Sequence, residues 1–125
     1  MKLNTATIYA LGLALNKPEF LNATGKTGYT IYKNLKIIEN DFNAYKHSMD
    51  EAVKRHGKQD GDGYSISPED EGYEDFLKEM QPLGALEVDI PLWQVDEIDL
   101  PPCESANVAQ YMLIESLLVK KNVKE

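Results

Sequence analysis

The side chains of this chain that could do chemistry are carboxylates, two imidazoles and one thiol. His47 and Glu51 stand i, i+4, the spacing that puts two ligands on one helix face. A metal site needs at least a third ligand of matching type, and none is spaced to supply it, so the two read as a solvated pair. His56 closes a helical pattern, where a cation meets the negative end of the helix dipole and capping accounts for it. Cys103 stands between Pro102 and Glu104 with no histidine near, a setting that disfavours the thiolate a nucleophile needs. Glu97 with Asp99, and Asp70 with Asp75, are of the type for acid–base work. Nothing around them marks burial, and a run of charge reads as a solvated face. The chain has no Gly-x-Ser-x-Gly, no dinucleotide fingerprint and no cysteine pair for zinc. Gly25-Lys-Thr27 lacks the upstream glycine of a phosphate loop. No catalytic residue is assigned, no cofactor is expected, and the reading is of a non-enzyme.

The stretch from Asp60 to Glu69 is the sharpest motif, because it resembles the calcium loop of EF-hands. Such a loop places oxygen ligands at its first, third, fifth and twelfth positions and glycine at its sixth. With Gly63 sixth, Asp60 and Asp62 fall third and fifth, and Glu69 falls twelfth. The first position is then Lys58, a cation where a carboxylate belongs, and the eighth is Ser65, where an apolar residue normally pairs with a second hand. The favoured reading is an Asp-Gly turn, with Asp60, Asp62 and Glu69 kept as the weak Ca²⁺ alternative.

Binding chemistry is more prominent than catalytic chemistry. The net charge is −8, unevenly spread: residues 1–57 carry +3, whereas residues 59–104 carry fourteen Asp/Glu against Lys78 alone, or −13. That acidic half repels phosphate backbones, so nucleic acid is not an expected partner, while a basic protein surface is. Taken alone, the charge is more simply read as solvating a small domain. Trp93, in a segment flanked by acids, is the best candidate for an interface anchor, but the favoured reading is that it plugs the core under the long helix. The candidate partner-binding set is therefore Trp93 with Glu87, Asp89, Asp96, Glu97 and Asp99.

The elements that must position these residues centre on Thr27 to His56. Ile31, Leu35, Ile38, Phe42, Tyr45, Met49 and Ala52 alternate spacings of four and three, which puts all seven on one face of a helix, close to a coiled-coil repeat. Lys33, Asn34, Lys36, Asn40, Asp41, Asn43, Lys46, Asp50, Lys54 and Arg55 fill the opposite, wet side. About 28 residues of helix span roughly 42 Å. A first helix is expected from Thr5 to Asn16, capped by Asn4 or Thr5, with Gly12 either a weak point or a place where the long helix comes close. Residues 18–28 read as a connector anchored by Phe20 and Leu21. Ser67 reads as the cap of a third helix with Pro68 in its first turn and Pro82 and Gly84 as its stop. Ser105 reads as the cap of a fourth, from about Ala106 to Lys120, apolar at Val108, Ala109, Met112, Leu113, Leu117 and Leu118; residues 120–125 are expected to fray. A small β element is expected from residues 64–67 and 86–99, where apolar and acidic residues alternate as far as Pro91.

The sum is a single mainly helical α+β domain over 1–125: one long central helix, three shorter helices and a small β element. With 42% apolar and 27% charged residues the chain can bury a core, and no run approaches the roughly 18 apolar residues of a membrane span. The start carries one positive charge and no small-residue cleavage site, which argues against a signal peptide, and one cysteine fits a reducing cytosol.

The layout resembles a family of small, uncharacterised proteins of tailed bacteriophages and prophages, mostly from Gram-positive hosts. The features that carry the resemblance are Tyr-x-x-x-Lys-Asn at Tyr29 to Asn34, Ile38-Glu39, Lys-Arg-His-Gly ending at Gly57 with Asp-Gly turns after it, and Glu-Val-Asp-Ile at Glu87 to Ile90. It implies a phage protein acting in the bacterial cytoplasm or built into the particle, and it assigns no functional residue. The expected function is binding of another protein, a host or defence factor, through the acidic surface. The alternative is a particle component that self-associates through the long helix.

Overall fold

A computed structural model describes residues 1–96 and 100–119. The order of elements is β1 (Lys2–Asn4), α1 (Thr5–Leu15), α2 (Pro18–Leu21), α3 (Gly25–His56), β2 (Lys58–Asp60), β3 (Gly63–Ser65), α4 (Tyr73–Gly84), β4 (Glu87–Asp89) and α5 (Val108–Leu118). The fold is mainly helical α+β, with α3 as its spine. At 32 residues α3 is about 48 Å long, beginning two residues earlier than the stripe requires.

All seven stripe residues face protein: Ile31, Ile38 and Ala52 are buried, and Leu35, Phe42, Tyr45 and Met49 are half-buried. Ile8, Leu11, Ala14 and Leu15 of α1 and Phe20 of α2 form one buried cluster with the N-terminal part of the stripe, and Ile114 and Leu118 bring α5 into it across α1. α1 and α3 meet at Gly12, where any Cβ would fall inside the ring of Phe42; the close-approach reading of Gly12 is the right one. Tyr9 stacks on Phe42 at 5.0 Å and leans on Tyr45 at 5.1 Å, extending that junction along α3.

The local differences from expectation have local causes. Asn4 caps α1, accepting from the Thr7 N–H at 2.8 Å, and the residues before it also form β1, which is too short to show an alternating pattern. β1 pairs antiparallel with β4, Leu3 opposite Val88, and β2 pairs with β3 in a hairpin, so the β structure is two separate two-stranded sheets, not one. Residues 18–28 include the short helix α2, since Pro18 at N1 starts a helix as readily as it ends one. Phe20 anchors it, whereas Leu21 is exposed. α4 starts at Tyr73 because Asp70 first closes a turn, its carboxylate accepting from the Ser67 N–H at 2.9 Å. α4 then runs through Pro82 to Gly84; a proline this near the end costs little, and Met80 and Leu83 hold the last turn.

The cap of α5 is Asn107, not Ser105. Asn107 and Gln110 form a reciprocal capping box, while Ser105 turns to α2, donating its hydroxyl to Glu19 at 2.8 Å and its N–H at 3.1 Å. These bonds, the hydroxyl's first, hold the Glu19 carboxyl down at about 2. The face of α5 is rotated from the expected arc: Ile114 is in the core, and Val108 and Met112 are exposed. α5 ends at Leu118, and Val119 bridges to Val95. The tail expected to fray lies outside the described residues.

Candidate functional site

Asn34 is the one residue of the expected wet face that is completely buried, at 0% exposure. It falls beside the stripe, between Ile31 and Ile38, so its amide is carried inward with them. There it accepts the Trp93 N–H at 2.8 Å and donates to the Trp93 carbonyl at 3.0 Å. One side-chain amide thus satisfies both backbone groups of a residue that lies in no strand. A buried amide left without partners would destabilise the fold, by about 1–3 kcal/mol; here every polar atom of the pair is matched.

The segment around Trp93 is fixed at two further points. The Ile90 N–H donates to the Met1 carbonyl at 2.7 Å, and the Val95 N–H donates to the Leu118 carbonyl at 2.7 Å. Ile90 and Val95 are buried, Leu92 half-buried, and Trp93 remains 44% exposed. Trp93 is therefore not a core plug. Its backbone is immobilised while its ring is displayed.

The ring lies against α3. Tyr29, itself 55% exposed, meets Trp93 at 5.6 Å between centroids with a 54° tilt. Lys33, one turn along, sets its ammonium 5.4 Å from the Trp93 ring and 5.9 Å from that of Tyr29. Both separations are within the range of cation–π attraction. Sequence reasoning singled out Trp93 and missed Tyr29, Lys33 and Asn34 as its companions. The available signal was the i, i+4 spacing of Tyr29 and Lys33 and an asparagine adjoining an apolar stripe.

Of the acidic candidates, Glu87 and Asp89 are exposed on β4, and Asp89 accepts a 3.0 Å contact from the Met1 amine. Asp96 is exposed just beyond Val95. Glu97 and Asp99 lie outside the described residues. The calcium-like stretch is the β2–β3 hairpin, turning at Gly61 with φ +61°, the conformation such tight hairpins require. Asp60, Asp62 and Glu69 are exposed there, Glu69 accepting from the Ser67 hydroxyl, and Lys58 lies 3.4 Å from Asp70. No group of three His, Cys, Asp or Glu side chains among the described residues is placed to hold a metal ion.

Elsewhere, His47 is exposed and Glu51 pairs with Lys54. His56 does more than cap: its Nε2 is 3.0 Å from Glu79 of α4, and Arg55 contacts the same carboxylate. The hydrogen bonds from His56 and then Arg55 hold the Glu79 carboxyl below its ordinary value. A groove of about 420 Å³ runs between α3 and α4 past Tyr45, Met49, Phe76 and Leu77, and burial raises the Tyr45 phenol. A second groove, of about 300 Å³, passes Gly12, Leu35 and Phe42. Cys103 is buried, its backbone clasped by the Tyr111 hydroxyl, which donates to its carbonyl at 2.6 Å.

Fold and site together define a small helical protein whose fixed, displayed feature is an aromatic pair with a cation over it. No protein family, curated protein or solved structure matches the chain. Among the described residues, no helix is long and apolar enough to cross a membrane.

Proposed function

We propose that the protein works without catalysis, by binding another protein through the Trp93–Tyr29 face and the acidic residues around it. The observation that carries this reading is an exposed indole whose backbone is pinned by a fully buried side chain. Pre-ordered aromatic side chains are the residues on which interfaces concentrate their binding energy, because little conformational freedom is lost on contact. The −13 carried by residues 59–104 supports a basic partner, since charge of one sign speeds and orients encounter. On the resemblance to phage proteins, we place this binding in the bacterial host cytoplasm, against a host or defence factor, with no nucleic acid involved.

The test is affinity capture from bacterial lysate with the wild-type protein and Trp93→Ala, read by mass spectrometry at low and high salt. A protein retained by the wild type, lost with Trp93→Ala and weakened by salt supports the reading. A retained set that ignores both changes refutes it.

A second reading is a particle component that self-associates through the long helix. It draws on the two grooves along α3, which leave Leu35, Phe42, Tyr45 and Met49 half-buried. Sedimentation separates the two: self-association that Met49→Glu abolishes and Trp93→Ala spares belongs to the assembly reading.

A further inference from the structure

The structure holds a cation on the aromatic pair, and it is the protein's own. We propose that the tilted Trp93–Tyr29 pair is a receptor for an arginine side chain of the partner, and that Lys33 is the placeholder which that arginine displaces. This rests on the protein-binding reading above and specifies what the partner brings.

Two ring faces inclined at 54° converge on one position, and the Lys33 ammonium occupies it, within 6 Å of both centroids. Among the described residues Lys33 forms no ion pair, whereas Lys36, Lys46, Lys54 and Lys58 each meet a carboxylate. The rings are thus what attracts it. Lysine is the weaker occupant for such a place. Its ammonium is compact and strongly hydrated, and its four-carbon stem swings freely into water. A guanidinium is planar, less hydrated and able to stack on an indole face. The partner's arginine is also drawn by the net −13 of residues 59–104, the segment containing Trp93, while Lys33 belongs to the +3 half and, among the described residues, meets no carboxylate. Displacement of Lys33 frees a cation one helical turn from Tyr29 and leaves both ring faces to the incoming group.

Trp93 is the single tryptophan of the chain, so its fluorescence reports this site alone. The experiment titrates the full chain with hexa-arginine and, separately, hexa-lysine at fixed ionic strength, following Trp93 emission. Circular dichroism confirms native helicity for each variant. Hexa-arginine is expected to bind more tightly than hexa-lysine. Lys33→Ala should tighten hexa-arginine binding by about two- to fivefold, the worth of one exposed cation–π contact. Lys36→Ala, on the same helix and with the same loss of charge, should tighten it less. Tyr29→Ala should weaken binding and Tyr29→Phe should preserve it.

Equal effects of Lys33→Ala and Lys36→Ala, or equal binding of the two peptides, would overturn the proposal, because the surface would then be sensing charge alone. That result leaves the lysate capture unaffected, so a protein partner recognised through Trp93 by other contacts would still be found there. No response of Trp93 to either peptide also overturns the proposal.

Discussion

From Thr30 to Ile38, α3 buries Thr30, Ile31, Asn34 and Ile38, the two isoleucines in one apolar cluster with α1 and α2 and Asn34 bonded to the Trp93 backbone. From Tyr45 to His56 it buries only Ala52, opens a groove toward α4, and ends in contacts from His56 and Arg55 to Glu79. One continuous helix is thus held by apolar packing and a buried amide in one half, and by partial packing and exposed charge in the other. The rigid half carries the displayed aromatic pair. The difference teaches that the candidate site sits on the more fully packed half of the helix, as suits a surface that binds with little rearrangement.

The comparison breaks first if the two halves respond alike to truncation. Ile38→Ala should cost about 2–5 kcal/mol, and Met49→Ala, half-buried in the looser half, about 1–2 kcal/mol. Urea denaturation measures both, and equal losses would erase the distinction. Asn34→Ala comes next, at about 2–3 kcal/mol, because it strands the N–H and carbonyl of Trp93 in the interior. It should also lower the fluorescence anisotropy of Trp93, which Met49→Ala should leave unchanged. Gly12→Ala should cost about 1–3 kcal/mol by overpacking against Phe42, and should cost clearly less in a Phe42→Ala background, the signature of direct contact.

The smallest effect belongs to the charged end. The Glu79 carboxyl is lowered in the folded state, so it contributes stability above its unfolded value, near 4.5, and that contribution is lost as pH falls through the folded value. Glu79→Gln should therefore lower stability slightly at neutral pH and flatten the acid limb below pH 4.5 by that same small amount, so that the two proteins converge at low pH, an exposed ion pair being weak and screened by salt. Unfolding curves across pH 2–7, at low and high salt, would show it. An effect at pH 7 as large as that of Asn34→Ala would reverse the ranking of the two halves.

The spine was legible because seven apolar residues keep a helical period over 22 positions, from Ile31 to Ala52, and packing along a long helix obeys that period. The Gly12 crossing was legible as one of two alternatives, since only a close approach or a flaw explains glycine within a helix. The caps were harder: Ser105 and Asn107 are both good capping types, and what chose between them was Glu19, distant in sequence, which captures the serine. β1 and α2 are too short to carry a period at all. Asn34 was misread because polarity was taken to mean exposure, whereas a buried amide is stable when a backbone elsewhere needs both of its hydrogen bonds. Trp93 could be recognised as a candidate from its type and flanking acids, but its exposure depends on Asn34, Ile90 and Val95 together, a tertiary fact that no local window contains.

The claim that the rigid half carries the binding site is tested most directly by lysate capture with wild type, Trp93→Ala and Glu79→Gln, each first checked for native helicity. The account predicts that a protein retained by the wild type is lost with Trp93→Ala and kept with Glu79→Gln. Retention by Trp93→Ala with loss in Glu79→Gln would put the binding surface at the charged end of α3 and contradict it.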